Sequence, residues 1–506
     1  MNVFYLIVLT FLVFQNIYPQ KISDSLILKG LNASYNFEFE KAENIFSQLI
    51  KENPEHPAGY YFTSQIYFWK YIGGNDKGDK GIFLKYADLS IKKSEDGADK
   101  KELPELYFFL GSSHQLKALA LMYEGEFFDA YGDAKDAVNN LNYCLKLNPE
   151  FYDAYLGLGI FNYTLSYVPS FYRFLLGIFG LSSNKEEGFN RIITAAEKGK
   201  FNKYEALFYK ARILSDYTAD YNYSLNILRN LLTQFPDNIV INYQYALTSL
   251  LKRDINNAEN SLNKIIKISN PEFIQTNSFA YLRMGDIQFI RNNFDQAIIS
   301  YEKFLNDTRS FEFSGYAYYQ IALCFAFMGN DNEMKRNLIF ARNGNTDIPE
   351  DYYAKEKSEY FFDQGLPKEY LNLIKIENLL FQKKYSNAAY ILNELYYGGK
   401  ITGKFSGKAD YIKSQILFSD NNFTGAIKSA SKIELENIKI DRWILPSAKL
   451  LIAESYFELK DYKKSEEYKN QALEINEYEF KELIESKIRN IELRLSKSKN
   501  NVKNVK

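Results

Sequence analysis

Apolar residues recur at three- and four-residue steps through most of this chain, and each run stops at a short polar turn. That spacing predicts amphipathic helices. In the stretch FEKAENIFSQLIKENP, Ala42, Ile45, Phe46, Leu49 and Ile50 share one face. Asn53-Pro54 then ends the helix, because proline disfavours a helical conformation at the residue before it. Similar stops fall at Pro149, Pro236 and Pro271, after helices whose crossing points are small: Ala137, Ser224 and Ala258, as Ala42 is in the first. New helices open soon afterwards on an aromatic, at Tyr60, Tyr155 and Tyr243. The most regular example is 278–291 followed by 292–306, two short helices joined by a tight polar turn. Units repeating at roughly 34 residues predict a helical solenoid.

The residues at the helix crossings carry a resemblance. Tyr155, Leu158, Gly159 and Tyr163 fit the first half of one unit, and Tyr281, Met284, Gly285, Ala297, Tyr301 and Phe304 a whole one. Tyr318, Ile321, Ala322 and Phe325 fit another, and Ile452, Ala453 and Tyr456 the last. In this the chain resembles a tetratricopeptide-repeat protein. The resemblance implies an all-α, right-handed superhelical solenoid of about ten helix pairs. Over about half the chain it is also similar to the inclusion-body-clearance family of such proteins. Gly188, Ala195-Ala196, Pro236 and Pro446 carry that second likeness, which implies architecture only.

The order along the chain follows. Residues 1–20 read as a secretory signal peptide, 21–200 as N-terminal units with insertions at 73–104 and 163–182, and 201–477 as more regular units. A closing helix is expected over 478–496, then a disordered polar tail over 497–506. The apolar run Val3–Phe14 is short for a membrane span, which needs about 20 residues, so export with cleavage near Gln20 is expected and no spanning segment remains after it. The rivals are an uncleaved anchor and a cytoplasmic chain whose first helix packs on the array.

Composition narrows the partners. Lys+Arg 62 against Asp+Glu 63 gives a formal charge of −1, without the basic footprint of nucleic-acid binding. Tyr at 42 and Phe at 40, against two Trp, predict an interior rich in flat rings. Cys144 and Cys324 lie on apolar faces and read as buried thiols. Two histidines, His56 and His114, cannot build a histidine-rich metal site.

No phosphate-binding glycine loop, HExxH, paired CxxC or nucleophile elbow occurs. No catalytic residue, metal or cofactor is therefore expected. Nor is there the Lys/Asn ladder of a carboxylate clamp. The inward positions are aromatic, which suits an apolar or helical peptide. The candidate partner-binding residues are Tyr163, Tyr167, Phe171 and Tyr172 in the insertion, and Tyr243, Phe279, Phe289, Tyr319 and Phe327 along the inner row. The expected function is a non-catalytic scaffold of the bacterial cell envelope that binds a protein or peptide on a concave, aromatic-lined surface. The alternative is a carbohydrate- or small-ligand-binding envelope protein. An enzyme would need a charged cluster converging from distant units, which a linear sequence does not display.

Overall fold

The computed structural model describes residues 24–164, 184–401 and 403–503. All regular structure among these residues is helical. The chain divides into two compact units, Met1–Lys210 and Ala211–Lys506. Unit 1 holds α1 (Asp24–Tyr35), α2 (Phe39–Glu52), α3 (Ala58–Gly74), α4 (Lys77–Ala98), α5 (Pro104–Tyr123), α6 (Ala130–Leu147), α7 (Asp153–Thr164), α8 (Lys185–Lys198) and the first turns of α9 (Lys203–Asp216). Unit 2 continues through α10 (Tyr221–Gln234), α11 (Ile239–Leu251), α12 (Ile255–Ile268), α13 (Ile274–Ile290), α14 (Phe294–Asp307), α15 (Ser314–Met328) and α16 (Asp331–Ala341). It closes with α17 (Pro349–Gln364), α18 (Lys368–Phe381), α19 (Tyr385–Tyr397), α20 (Gly403–Ser419), α21 (Phe423–Ala430), α22 (Ile444–Glu458), α23 (Tyr462–Glu474) and α24 (Lys481–Lys503).

One turn recurs and defines the repeat. Phe37, Arg253, Asn292, Gly329, Lys383, Asn421 and Lys460 all have positive φ, each just past the first helix of a pair. The following N–H reaches back to a carbonyl of that helix, as in Asp254 to Ser249, Asn293 to Gln288, Asn422 to Leu417 and Asp461 to Tyr456. This closure satisfies carbonyls that the helix end would leave orphaned. The same residue often caps the second helix: the Asp254, Asn330, Asn422 and Asp461 side chains accept from the N–H three residues on. An apolar or aromatic first residue then starts that helix at Phe39, Ile255, Phe294, Tyr385, Phe423 and Tyr462.

Within each unit most consecutive helices pack on one another, and first helices also touch the first helix of the next pair. Small residues set the approach. A Cβ on Gly159 of α7 would lie 2.7 Å from Ile192 Cγ1 and 2.8 Å from the Gly188 carbonyl oxygen of α8. Because one of those atoms is backbone, Gly159→Ala must push the two helices apart. Its expected cost is about 1–3 kcal/mol, as for other overpacked sites, measurable by urea unfolding. Gly285 plays the same part against the Tyr301 ring, 2.6 Å from where a Cβ would stand.

Three stretches differ from the simple pattern. Residues 73–104, an insertion in the repeat pattern, are mostly one helix, α4, which runs unbroken for 22 residues. The Asp76 side chain caps it by accepting from Gly78 and Asp79, and Phe83, Ala87, Ser90 and Ser94 form its buried row. At the other end α24 runs to Lys503, through positions assigned by pattern to a polar tail. In unit 2 the pairing slips at α17, and 13 residues, 431–443, separate α21 from α22. The signal-peptide assignment, 1–20, and nearly all of the 163–182 insertion lie outside the described residues. Among the described residues no helix is long and apolar enough to cross a membrane.

Unit 2 also bonds to itself across long sequence separations. Arg489 Nε of α24 donates to the Tyr217 carbonyl at 2.7 Å, and Asn490 to the Thr218 carbonyl at 3.0 Å. The Arg489 guanidinium lies 4.0 Å from the centre of the Tyr217 ring. Midway, Asn378 of α18 donates to the Phe289 carbonyl of α13 at 3.0 Å. The last helix is thus clasped to the turn that begins the unit.

Candidate functional site

The aromatic row of unit 2 forms the joints between repeats. Tyr243 and Phe279 lie 6.4 Å apart, and Phe279 packs against Phe304 and Phe313, each at 5.7 Å. Phe289 is buried beside Phe294 and Phe327, and the Phe294 and Phe327 rings stack at 4.3 Å. Tyr319 is buried 6.1 Å from Tyr353. In unit 1 Tyr163 is buried at the end of α7. Tyr167, Phe171 and Tyr172 lie outside the described residues. The structure therefore brings Tyr243 to Phe279 and Phe289 to Phe327, and sets Tyr319 at the edge of a charged cluster.

That cluster converges from distant elements, where the repeat pairing slips. Asp441, in the segment before α22, accepts from Lys357 of α17 at 2.7 Å and from the Tyr353 hydroxyl at 3.1 Å. Its other oxygen lies 3.5 Å from Lys408 of α20, which also pairs with Glu377 of α18 at 2.9 Å. Lys408 faces the Tyr370 and Trp443 rings. Burial opposes charge on Asp441, but Lys357 and Lys408 outweigh it and hold the carboxyl well below the usual carboxylate range. A second centre in unit 2 is likewise balanced. Asp286 accepts from the Tyr301 and Tyr316 hydroxyls, each at 2.9 Å, and pairs with Arg283 at 2.9 Å. Both centres spend their charges on one another, the arrangement of a structural network.

Unit 1 contains a carboxylate treated differently. Glu205, in the first turn of α9, is half-buried and accepts one hydrogen bond, from Gln65 Nε2 of α3 at 3.1 Å. No lysine or arginine pairs with it among the described residues. Tyr61, Gln65 and Trp69 follow at four-residue steps on one face of α3. The Tyr35 ring lies 5.7 Å from Trp69 and 5.9 Å from Tyr204. Burial pushes the Glu205 carboxyl up to about 7, against the Gln65 hydrogen bond, which pulls the other way. Its field in turn raises the Tyr35 and Tyr61 hydroxyls, for which burial is the larger cause. By contrast the buried Asp153 accepts the backbone N–H groups of Lys200, Phe201 and Asn202, which fix a turn.

A raised folded-state value makes Glu205 a burden at high pH. Below about 4.5 the carboxyl is neutral in both states and costs nothing. As pH rises to about 7 the unfolded chain ionises first, so stability falls through that window and stays low above it. Glu205→Gln is expected to stabilise the protein by about 1–2 kcal/mol at pH 8, discounted for partial exposure. At pH 4.5 the substitution should be nearly neutral. Urea unfolding at the two pH values checks both.

Sequence reasoning missed Lys357, Lys408, Asp441, Glu205 and Gln65. The available signal was weak: a lone charge on an otherwise apolar helix face, as Lys408 is between Phe405 and Ile412.

Residues 153–357 match the model of the Iml2/Tetratricopeptide repeat protein 39 family. Residues 446–479 match the tetratricopeptide repeat model. The chain carries tetratricopeptide repeats. The recurring turn and the glycine contacts of α7–α8 and α13–α14 are the structural form of that repeat. No curated protein matches the chain. Among solved structures it is similar to Cut9–Hcn1, an APC/C hetero-tetramer, at 13% identity over 92% of this chain and 88% of that one, TM-score 0.29. The TPR domain of P58(IPK) gives 14% over 75% and 97%, TM-score 0.23. Yeast Tom70 gives 15% over 84% and 96%, TM-score 0.23.

Proposed function

We propose that this protein is a non-catalytic scaffold that binds a protein partner, and that it works in the cell envelope. The observation that carries the reading is the stack of tetratricopeptide-type helix pairs, a fold generally used for protein interaction. A stiff array of this kind sums its stability over neighbouring units and presents a large surface at low ordering cost. The charged centres of unit 2 support it, because Lys357, Lys408, Glu377 and Asp441 are committed to each other. The short apolar run Val3–Phe14 supports export.

Cross-linking of the full chain in an envelope fraction, followed by mass spectrometry, tests the binding. A reproducible protein partner is expected, and recovery of none overturns the scaffold reading. Cell fractionation with N-terminal sequencing tests the location: a mature chain that begins near residue 21 in the envelope supports export, and an intact chain in the cytoplasm refutes it.

A further inference from the structure

We propose that the chain modifies itself at Asn343-Gly344: the asparagine deamidates there without an enzyme, and the isoaspartate that results loosens α17 from α15.

Asn343-Gly344 is the only Asn-Gly step in the 506 residues. Deamidation begins when the backbone nitrogen of the next residue reaches the side-chain carbonyl carbon of the asparagine. A glycine, lacking Cβ, crowds that approach least. The pair lies in the turn between α16 and α17, outside any helix. Asn343 is exposed, and its carboxamide makes no hydrogen bond among the described residues. Its own N–H donates to the Phe340 carbonyl at 3.1 Å. The Gly344 N–H, which supplies the nucleophile, donates to nothing among the described residues. Both reacting groups are therefore adjacent and uncommitted, and water reaches Asn343.

The step balances with water alone. Hydroxide removes the Gly344 amide proton, and the nitrogen bonds to Asn343 Cγ. The bond from Cγ to the carboxamide nitrogen breaks, and ammonia leaves with a proton from water, which restores the hydroxide. One water then opens the cyclic imide. Opening at one carbonyl gives aspartate at 343. Opening at the other gives isoaspartate, whose main chain runs through the side chain and is one methylene longer.

Packing explains why the susceptible pair is there. A Cβ on Gly344 would lie 2.8 Å from Gly315 Cα and 2.8 Å from Asp351 Cγ. Gly315 is in the first turn of α15, and Asp351 is buried in the first turn of α17. Asp351 accepts from the Tyr316 N–H at 2.7 Å and from the Asn345 N–H at 2.9 Å. The junction of α15 with α17 thus demands glycine at 344, and that glycine opens Asn343 to attack. The same junction sets the consequence. A longer main chain at 343 displaces Gly344 and Asn345, and a buried carboxylate that loses a donor is costly.

The test incubates the purified full chain at pH 8 and follows it by peptide mass spectrometry, with an isoaspartate-specific methyltransferase to count the isomerised product. Asn343 is expected to convert at least about tenfold faster than any other asparagine, a barrier difference of about 1.4 kcal/mol. Asn343→Gln keeps a carboxamide but needs a larger ring, and should abolish the methyl-accepting product. Conversion of Asn343 no faster than elsewhere, or undiminished methyl acceptance in Asn343→Gln, overturns the site. Hydrogen exchange reads the consequence. In the isoaspartyl protein the Tyr316 and Asn345 amides should exchange about tenfold faster than in fresh protein. Asn343→Asp carries the charge without the extra methylene and should leave them protected. If those amides stay protected in the isoaspartyl protein, or if Asn343→Asp exposes them equally, the loosening by isoaspartate is overturned.

Discussion

Replacing Asp441 with Asn is expected to cost unit 2 about 3–5 kcal/mol, the scale for breaking a buried ion pair from one side. Lys357 is 2% exposed and has its shortest ion pair with Asp441. Without that carboxylate the ammonium keeps its desolvation penalty and loses the charge that offset it. Lys408 fares better, because Glu377 remains 2.9 Å away. The contrast yields a control. Lys357→Met combined with Asp441→Leu removes both buried charges and should recover most of the loss, whereas Asp441→Asn alone should not. The pH dependence has a definite sign. The folded-state value of Asp441 is depressed, so its stabilisation is present above the unfolded value of about 4. It is lost as pH falls through the depressed folded value. The gap between the natural chain and Asp441→Asn should therefore stay constant from pH 7 to about 5 and narrow only in stronger acid. In a Trp69→Phe background, urea unfolding followed by Trp443, whose ring lies 5.8 Å from the Lys408 ammonium, reads this region directly. A loss below about 1 kcal/mol would place the pair among exposed salt bridges instead.

The fold was legible because its repeat is written in local chemistry. Gly159 and Gly285 could be picked out as close-packing positions, and backbone and ring atoms do stand where their Cβ would be. The turn at Asn292-Asn293 could be picked out as a tight polar turn, and Asn292 does take the positive φ that Asn tolerates. The helix over 77–98 was legible only as an insertion, because its buried row uses Ser90 and Ser94 alongside Phe83 and Ala87. A small polar residue that packs like alanine leaves no apolar signal. The charged centres were illegible for a different reason. Lys357 and Asp441 lie 84 residues apart, and Gln65 and Glu205 are separated by 140. Nothing in the spacing of either pair marks it, since the meeting point depends on how the helices stack. The inner aromatic row shows the converse limit. Tyr319 and Phe289 were visible as inward-facing rings, but a ring that fills a joint and a ring that lines a groove have the same sequence spacing.

Ending the chain after residue 476 is expected to loosen the turn at Tyr217–Asp220, about 260 residues upstream. In an open linear array, losing the last helix affects the pair it covers and fades with distance. Here α24 does two jobs. Its Ile484, Ile488, Ile491 and Leu495 cover Leu450 and Ala472 of the last pair, and each such side chain contributes about 1.5–3 kcal/mol when fully buried. Its Arg489 and Asn490 hold the Tyr217 and Thr218 carbonyls at the start of unit 2. Truncation should therefore lower the unfolding midpoint of unit 2 more than any single substitution, and should raise amide exchange at both ends. The two jobs can be separated. Arg489→Ala with Asn490→Ala leaves the apolar cover in place and removes only the clasp. That variant should lose about 2–4 kcal/mol, the scale of one charged and one neutral hydrogen bond. Faster amide exchange should then be confined to the turn at Tyr217–Asp220 and the neighbouring end of α10, with α22 and α23 unchanged. If exchange rises only in α22 and α23 after truncation, unit 2 behaves as an open array and the clasp contributes nothing to its cooperativity. If the turn opens in both variants, the unit is stabilised as a closed body rather than as an open array.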